Sequence, residues 1–427
     1  MYSFMPSRPF NEQLYAQFWP ISTETGAPGV FLNQCSGAKM APTALLTHVK
    51  QPMLKRRSRE IASEGVIKAQ EWIGGQDKPV VESKILAFQN ALNTCTSRQE
   101  LDSVLAENIR PCSFRPFVNS NALLWGTIFD YQAGIGGGGA RVRPEIKAVY
   151  DLPDTVGFSL AHAPKDLDES LGQFTSFCWY FPDNDLSRRG NGHIYLNHYI
   201  RDVHTNAVIN NIHQSLIERY SALTGLDDSE CAKKMVFYSY AVFCSQVYLE
   251  EFYGALFVVN QSESRARIPI VDDAGLFLRL AELGERLAIL EKNDAAVDNV
   301  LDFNYDELLA QMWTGFHLEH SRSASRSPYD EENEQLIVRD EVTGNSIRIY
   351  CPVSLQKFTI AGYNVIKDCW LKFHSYRFTH CDFTRDDLKE LLDLFNKIAS
   401  QMGIVSEIDE IMHSIVGGEV ALLNYND

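Results

Sequence analysis

The longest apolar stretch of this chain runs from Met235 to Asn260 and is broken by Ser239, Ser245, Gln246, Glu250 and Glu251. Those interruptions prevent it from spanning a bilayer, because two carboxylates and three other polar groups would lie in hydrocarbon. At helical spacing, Met235, Tyr238, Val242, Ser245 and Leu249 share one face over Glu230–Leu256, which predicts core rather than membrane. Further on, Leu276, Leu280, Leu283, Leu287 and Leu290 lie three or four apart and predict an amphipathic helix. Residues 206–325 therefore read as a helical region.

The pattern differs on either side. Residues 1–50 are short apolar runs broken by Pro and Gly, suited to strands and loops. From Arg57 to Asn108 it turns helical, with Ile61, Val66, Ile67 and Trp72, then Ile85, Leu86, Phe88, Ala91 and Leu92, then Leu101, Val104 and Leu105, until Pro111 stops it. Residues 1–110 thus form an N-terminal α/β region. Residues 111–205 read as a central α/β recognition region, with strand candidates at Leu123–Tyr131, Gln173–Phe181 and His193–Tyr199 and a flexible loop at Gly134–Gly139. Residues 322–335, rich in Ser, Arg and acids, suit a linker.

Residues 336–427 begin with a β-hairpin, Leu336–Asp340 and Ser346–Tyr350 around Thr343–Gly344–Asn345. Thr384 then caps a helix through Leu388, Leu391, Leu392, Leu394 and Phe395, with Asp387 where a capping box would take Glu or Gln. Ile404, Ile408, Ile411 and Ile415 predict a further, last helix. The fold class expected is α+β, with mixed sheets, a helical region and a C-terminal hairpin-plus-helix unit.

Net charge is −16, which argues against a protein coated in nucleic acid but leaves room for one basic face. Basic residues do gather, at Lys55–Arg56–Arg57–Arg59, at Arg141, Arg143 and Lys147, at Arg188–Arg189, and at Arg265 and Arg267. The nine cysteines form no CxxC pair and read as reduced thiols in a cytoplasm. No basic-then-apolar leader opens the chain, so secretion is not expected.

Catalytic signatures were sought and weighed. Gly134–Gly139 satisfies GxGxxG, yet Arg141-Val-Arg143-Pro144 intervenes where a dinucleotide site needs a helix to open. Ser327-Pro328-Tyr329 lacks the second proline of an amino-methyltransferase tetrapeptide. Asp130, Glu145 and Lys147 have the outline of a metal-dependent nuclease, but Glu-x-Lys is common and recurs at Glu82 and Lys84. Cys369, His374, His380 and Cys381 suit zinc by type but not by spacing, and His317 and His320 lack a third ligand. The expectation is no catalytic residue, no cofactor and no metal in this chain, although its standing as an enzyme stays open.

A set of strings carries a resemblance. Tyr238-Ser-Tyr240-Ala-Val-Phe243-Cys-Ser245 with Tyr248, Arg267-Ile-Pro269, Leu276-Phe277 with Leu280-Ala-Glu-Leu283-Gly284, Gly362-Tyr363-x-Val365-x-Lys367 with Trp370-Leu371-Lys372, and Ile408-Asp409-x-Ile411 follow one another. Phe114-Arg115-Pro116-Phe117 precedes them. In this order, over about residues 111–416, they resemble the C-terminal specificity region of type ISP restriction–modification enzymes. Phe114 stands where that family has Tyr, and its aromatic Phe-Pro-Leu-Tyr stretch survives only as His193-Ile-Tyr195-Leu196. The first 110 residues match through Arg8-Pro9-Phe10 and Leu14-Tyr15.

The resemblance implies sequence-specific recognition of duplex DNA in a restriction or phage-defence system. Methyltransferase, helicase and nuclease parts would lie elsewhere, on a separate subunit or an upstream region. Arginine can hold guanine with two hydrogen bonds and lysine mostly holds phosphate. The DNA-binding candidates are accordingly Arg115, Arg141, Arg143, Arg188, Arg189, Lys367 and Lys372. The alternative is a subunit that docks a methyltransferase or defence complex without reading DNA. Neither reading involves a membrane.

Overall fold

The computed structural model describes residues 10–425 except 24–27, 36, 39, 41–42, 74–81, 126–148, 151, 153, 162–172, 185, 187–192, 203, 257–265, 293–294 and 321–326. The N-terminal part mixes short helical turns, Glu12–Tyr15 and Thr43–Leu46, with two-residue strands, of which Thr47–His48 is β1. Four helices follow: α1 (Gln51–Glu64), α2 (Val66–Ile73), α3 (Glu82–Leu92) and α4 (Arg98–Asn108). Ser97 caps the last, its side chain accepting from Glu100 N.

Two small sheets form the central part. β2 (Ile109–Arg115) and β3 (Val118–Leu123) are an antiparallel pair, with β1 added beyond β3. The order is completed on the other side, where Cys112 and Ser113 of β2 pair in parallel with Phe181 and Pro182. The second sheet has β4 (Gly157–Ala161) between β5 (Thr175–Cys178) and, beyond the two-residue strand β6 (Phe181–Pro182), β7 (His193–Asn197), all antiparallel. β4 and β5 are buried at every position, so Thr175, Ser176 and Ser159 lie in the interior beside Phe158, Leu160 and Phe177. Of the Leu123–Tyr131 candidate, Leu123 ends β3, Leu124 and Trp125 lie beyond it, and 126–131 lie outside the described residues, as does Gly134–Gly139.

The helical region comprises α5 (Gln214–Thr224), α6 (Asp228–Cys244), α7 (Gln246–Leu256) and α8 (Ala274–Leu290). The expected helix over Glu230–Leu256 is two helices, because Ser245 adopts φ −65, ψ 128 and so leaves the helical conformation. From Met235 to Cys244 every residue of α6 is buried. Such a helix needs neighbours all round, and α8 packs along it. Gly284 permits this: a Cβ there would stand 2.0 Å from the carbonyl oxygen of Phe237.

The C-terminal hairpin is β8 (Gln335–Arg339) and β9 (Ser346–Tyr350), with Gly344 at φ 73 in the turn. Inward positions alternate, so Leu336, Val338, Ile347 and Ile349 are buried while Ser346, Arg348 and Tyr350 are exposed. Order extends into the expected linker, where Tyr329–Asp330 already pairs with Leu336 and Gln335. The two helices expected at the end are one, α9 (Arg385–Val416). Gly403 is solvent-facing with open space about it, and a lone exposed glycine costs a helix only about 1 kcal/mol. The buried stripe from Leu388 through Phe395, Ile398, Ile404 and Ile408 to Ile415 continues through it. Asp387 completes the capping box despite its shorter side chain, accepting from Thr384 N at 2.8 Å while Thr384 Oγ1 accepts from Asp387 N.

Both ends of the described chain lie on the segment 266–272. Trp19 and Pro20 pair with Ile268 and Arg267, and Leu423 N donates to Ile270 O at 2.8 Å. Trp19 Nε1 also donates to Leu423 O at 3.1 Å, and its ring meets Tyr425 edge-on at 5.4 Å. No helix among the described residues is long and apolar enough to cross a membrane.

Candidate nucleic-acid interface

Most of the strings that carry the family resemblance build the framework. Tyr238 Oη donates to Pro269 O at 2.7 Å and Tyr248 Oη donates to Arg267 O, so the tyrosines of α6 and α7 hold the Arg-Ile-Pro backbone. Tyr240 Oη donates to the carboxylate of Glu291, which also accepts from Ser176 Oγ at 2.6 Å and Phe177 N at 3.1 Å. Glu291 is buried, and burial pushes its carboxyl up to about 7. Its backbone oxygen accepts from Asn119 Nδ2 at 3.1 Å. The C-terminal end of α8 thereby ties β3 and β5 to α6.

Arg115, the last residue of β2, is also interior, with 8% of its side chain exposed. Its guanidinium lies 3.6 Å from Asp183 and stands over the rings of Phe114, Phe373 and Tyr363 at 4.1, 5.3 and 5.5 Å. Phe114 meets Phe373 edge-on at 4.7 Å. A charge this buried requires such partners. Arg115 thus joins β2, the turn after β6 and the segment 363–373, and it is a packing cation rather than a surface one.

That segment opens on a short hairpin and then changes form. Thr359–Ile360 and Tyr363–Asn364 do form a two-residue ladder, turned at Ala361 and Gly362 with φ 51 and 80. Two successive positive φ angles mark the turn suited to a tight hairpin, and Gly362 supplies the second without strain. From Val365 to Leu371, however, the chain is a π-helix, continued by Lys372–His374 and Tyr376–Thr379. Asn364 anchors its start: Oδ1 accepts from Lys367 N at 2.8 Å and from Tyr329 Oη at 2.7 Å, and Nδ2 donates to Gln356 O. Trp370 is buried, stacked on His374 at 4.0 Å.

Lys367 and Lys372 are five residues apart and both half-buried. Residues five apart fall on well-separated faces of an α-helix but stack in a π-helix, whose hydrogen bonds run from i to i+5. Lys367 lies within the π-helix and Lys372 follows directly on its end. Lys372 Nζ also lies 5.1 and 5.8 Å from the rings of Phe373 and Phe378. Arg141, Arg143, Arg188 and Arg189 lie outside the described residues, as do Asp130, Glu145 and Lys147.

The zinc candidates are not gathered on a common point. His374 Nδ1 meets Trp370 O, and Cys369 is buried beside it with its thiol pushed up by burial. His380 Nε2 instead meets Trp72 O at 3.2 Å, and His317 stacks on Tyr376 at 3.8 Å facing Asp382. No group of three metal-ligating side chains occurs among the described residues.

Three interior polar residues escaped the sequence reading. Asp183 and His48 carry no motif, and Arg57 stands in the Lys55–Arg59 basic cluster. Arg57 and His48 are both buried, at 1% and 5% exposure. Only the helical phase of Arg57 with Leu54 and Ile61 hinted at this.

The comparisons with known proteins fit this geometry. Residues 30–397 match the type ISP C-terminal specificity domain. The chain belongs to that family. Two solved structures share the fold of this specificity domain over nearly its whole length. One is the ATP-dependent type ISP restriction–modification enzyme LlaBIII bound to DNA, with a TM-score of 0.53 at 13% identity, covering 94% of this chain and 24% of that one. The other is the DrdV–DNA complex, with a TM-score of 0.54 at 16% identity, covering 96% of this chain and 39% of that one. At such identities the likeness is one of fold, and the specificity domain spans well under half of either chain. No curated protein matches the sequence.

Proposed function

We propose that this specificity domain recognises a sequence in duplex DNA on behalf of restriction–modification or phage-defence machinery whose methyltransferase, helicase and nuclease parts lie elsewhere, and that it works in the cytoplasm. One observation carries the reading: a family match from residue 30 to residue 397, with a fold shared by a type ISP enzyme bound to DNA and by the DrdV–DNA complex. Lys367 and Lys372, in and directly after the π-turn, hold backbone phosphates, and Arg141, Arg143, Arg188 and Arg189 supply the remaining phosphate and groove contacts. Arg115 serves from beneath by fixing the 363–373 segment against β2 and Asp183. The net charge of −16 confines binding to one local face.

Fluorescence anisotropy with mixed-sequence duplex DNA at two salt concentrations tests the reading, with Arg188→Ala/Arg189→Ala alongside. Salt-sensitive binding, weakened by the double change, is expected. No binding at low salt overturns the stand-alone reader and favours the docking subunit.

A further inference from the structure

A buried cation in the N-terminal part has no counter-charge among the described residues. The guanidinium of Arg57, on α1, is 1% exposed, and its hydrogen bonds both leave from Nη2, to Leu45 O at 3.2 Å and Thr47 O at 2.8 Å. Its Nε–H meets no acceptor among the described residues. Burial pulls its pKa down to about 9, with no carboxylate acting on it, so it remains charged at neutral pH. The neighbouring groups leave that charge standing. His48 is neutral, accepting from Lys50 N through Nδ1 and facing Thr379 O through Nε2, and Lys50 is paired with Asp387 at 3.0 Å.

Arg57 lines a small, partly open cavity together with His48, Ser120, Phe114, Phe373 and Phe378. An isolated charge in an apolar interior is strongly unfavourable. Excess positive charge, an unmet Nε–H and a space far smaller than a nucleotide all favour the same kind of occupant. We propose that this cavity binds one small monovalent anion of the chloride class, which neutralises Arg57. A phosphate dianion would overshoot the single charge and outsize the space. The anion would bond α1 to β3 and to the 373–378 segment, beneath the lysines assigned above to DNA, although the inference stands without that assignment.

The test is thermal unfolding of the DNA-free protein in sodium chloride and in sodium gluconate at matched ionic strength, with chloride varied from well below to well above millimolar. Chloride, but not gluconate, should raise Tm saturably, on the order of 1–3 °C once it exceeds its Kd about tenfold. Arg57→Met should abolish the difference. Equal Tm in both salts, or an unchanged chloride effect in Arg57→Met, overturns the proposal. Should Arg57→Met fail to fold, crystals of the unaltered protein soaked in bromide decide: an anomalous peak beside Arg57 supports the site, and its absence there overturns it. Inorganic phosphate run in parallel should not raise Tm above gluconate, and a larger effect of phosphate than chloride refutes the monovalent assignment.

Discussion

Ser245 Oγ donates to Asp409 Oδ1 at 2.6 Å, joining the break between α6 and α7 to the far end of α9. The same carboxylate oxygen accepts from Val247 N at 3.2 Å, while Ser245 Oγ accepts from Tyr248 N at 3.1 Å. Two motifs far apart in sequence are therefore one hydrogen-bonded unit. Its serine does three things at once: it ends one helix, caps the next and holds a third.

Removing either partner should cost more than a surface change. Ser245→Ala and Asp409→Ala are each expected to lower stability by roughly 1–2 kcal/mol, as cap and charge-assisted losses do. Their double-mutant cycle should show coupling of at least about 0.5 kcal/mol. Urea denaturation midpoints measure all three, and strict additivity would contradict the unit described.

Gly284→Ala should destabilise by about 3 kcal/mol or more. The new methyl would need to displace the backbone of α6, since it begins 2.0 Å from Phe237 O, and overpacking of this kind is poorly absorbed. Gly344→Ala in the exposed β8–β9 turn is the milder comparison, strained only by its φ of 73. The two unfolding midpoints should differ clearly, Gly284→Ala lower.

Stability should depend on pH through opposing groups. Burial holds His48 down to about 3 and His198 down to about 4, and lowers His380 as well. The unfolded chain takes up those protons near 6.5 while the folded one does not, so stability present above 6.5 is lost as pH falls through 6.5 towards these lower values. Glu291 works the other way: raised to about 7 from 4.5, its contribution is complete below 4.5 and lost as pH rises through 7. Glu291→Gln should therefore flatten the decline between about 4.5 and 7 in a urea titration across pH. An unaltered profile would place the proton elsewhere.

In DNA binding, Lys367→Ala and Lys372→Ala should act alike. Each is expected to weaken affinity uniformly across sequences and to reduce the slope of log K against log salt by about 1. Arg115→Lys should behave differently, losing thermal stability because a point charge cannot replace a planar guanidinium set among three rings and a carboxylate. A change in sequence preference from either lysine variant would rule out phosphate contact.

Period and turn chemistry carried α8 and the β8–β9 hairpin openly, because both signals are local. The stripe of Leu276–Leu290 and the Gly344 turn need nothing outside themselves. The split at Ser245 was hidden because α6 is buried on every side from Met235 to Cys244, so its period says nothing of where it stops. The stripes Leu388–Phe395 and Ile404–Ile415 read as two helices, whereas packing of the whole stripe carries α9 through Gly403 between them. Arg115 was expected to face DNA, yet its cage comes from the Tyr363–Phe373 segment and Asp183, and no window around Arg115 contains them. The family motifs were legible as a resemblance; that Tyr238, Tyr248 and Ser245 act by bonding other strings of the same set could not be seen until the chain was folded.

The meeting of Trp19 with Leu423 and Tyr425 has a topological consequence. Positions about four hundred residues apart are thereby clasped to one short segment, 267–271, as two straps close on a single buckle. Loosening that segment would release both flanks together.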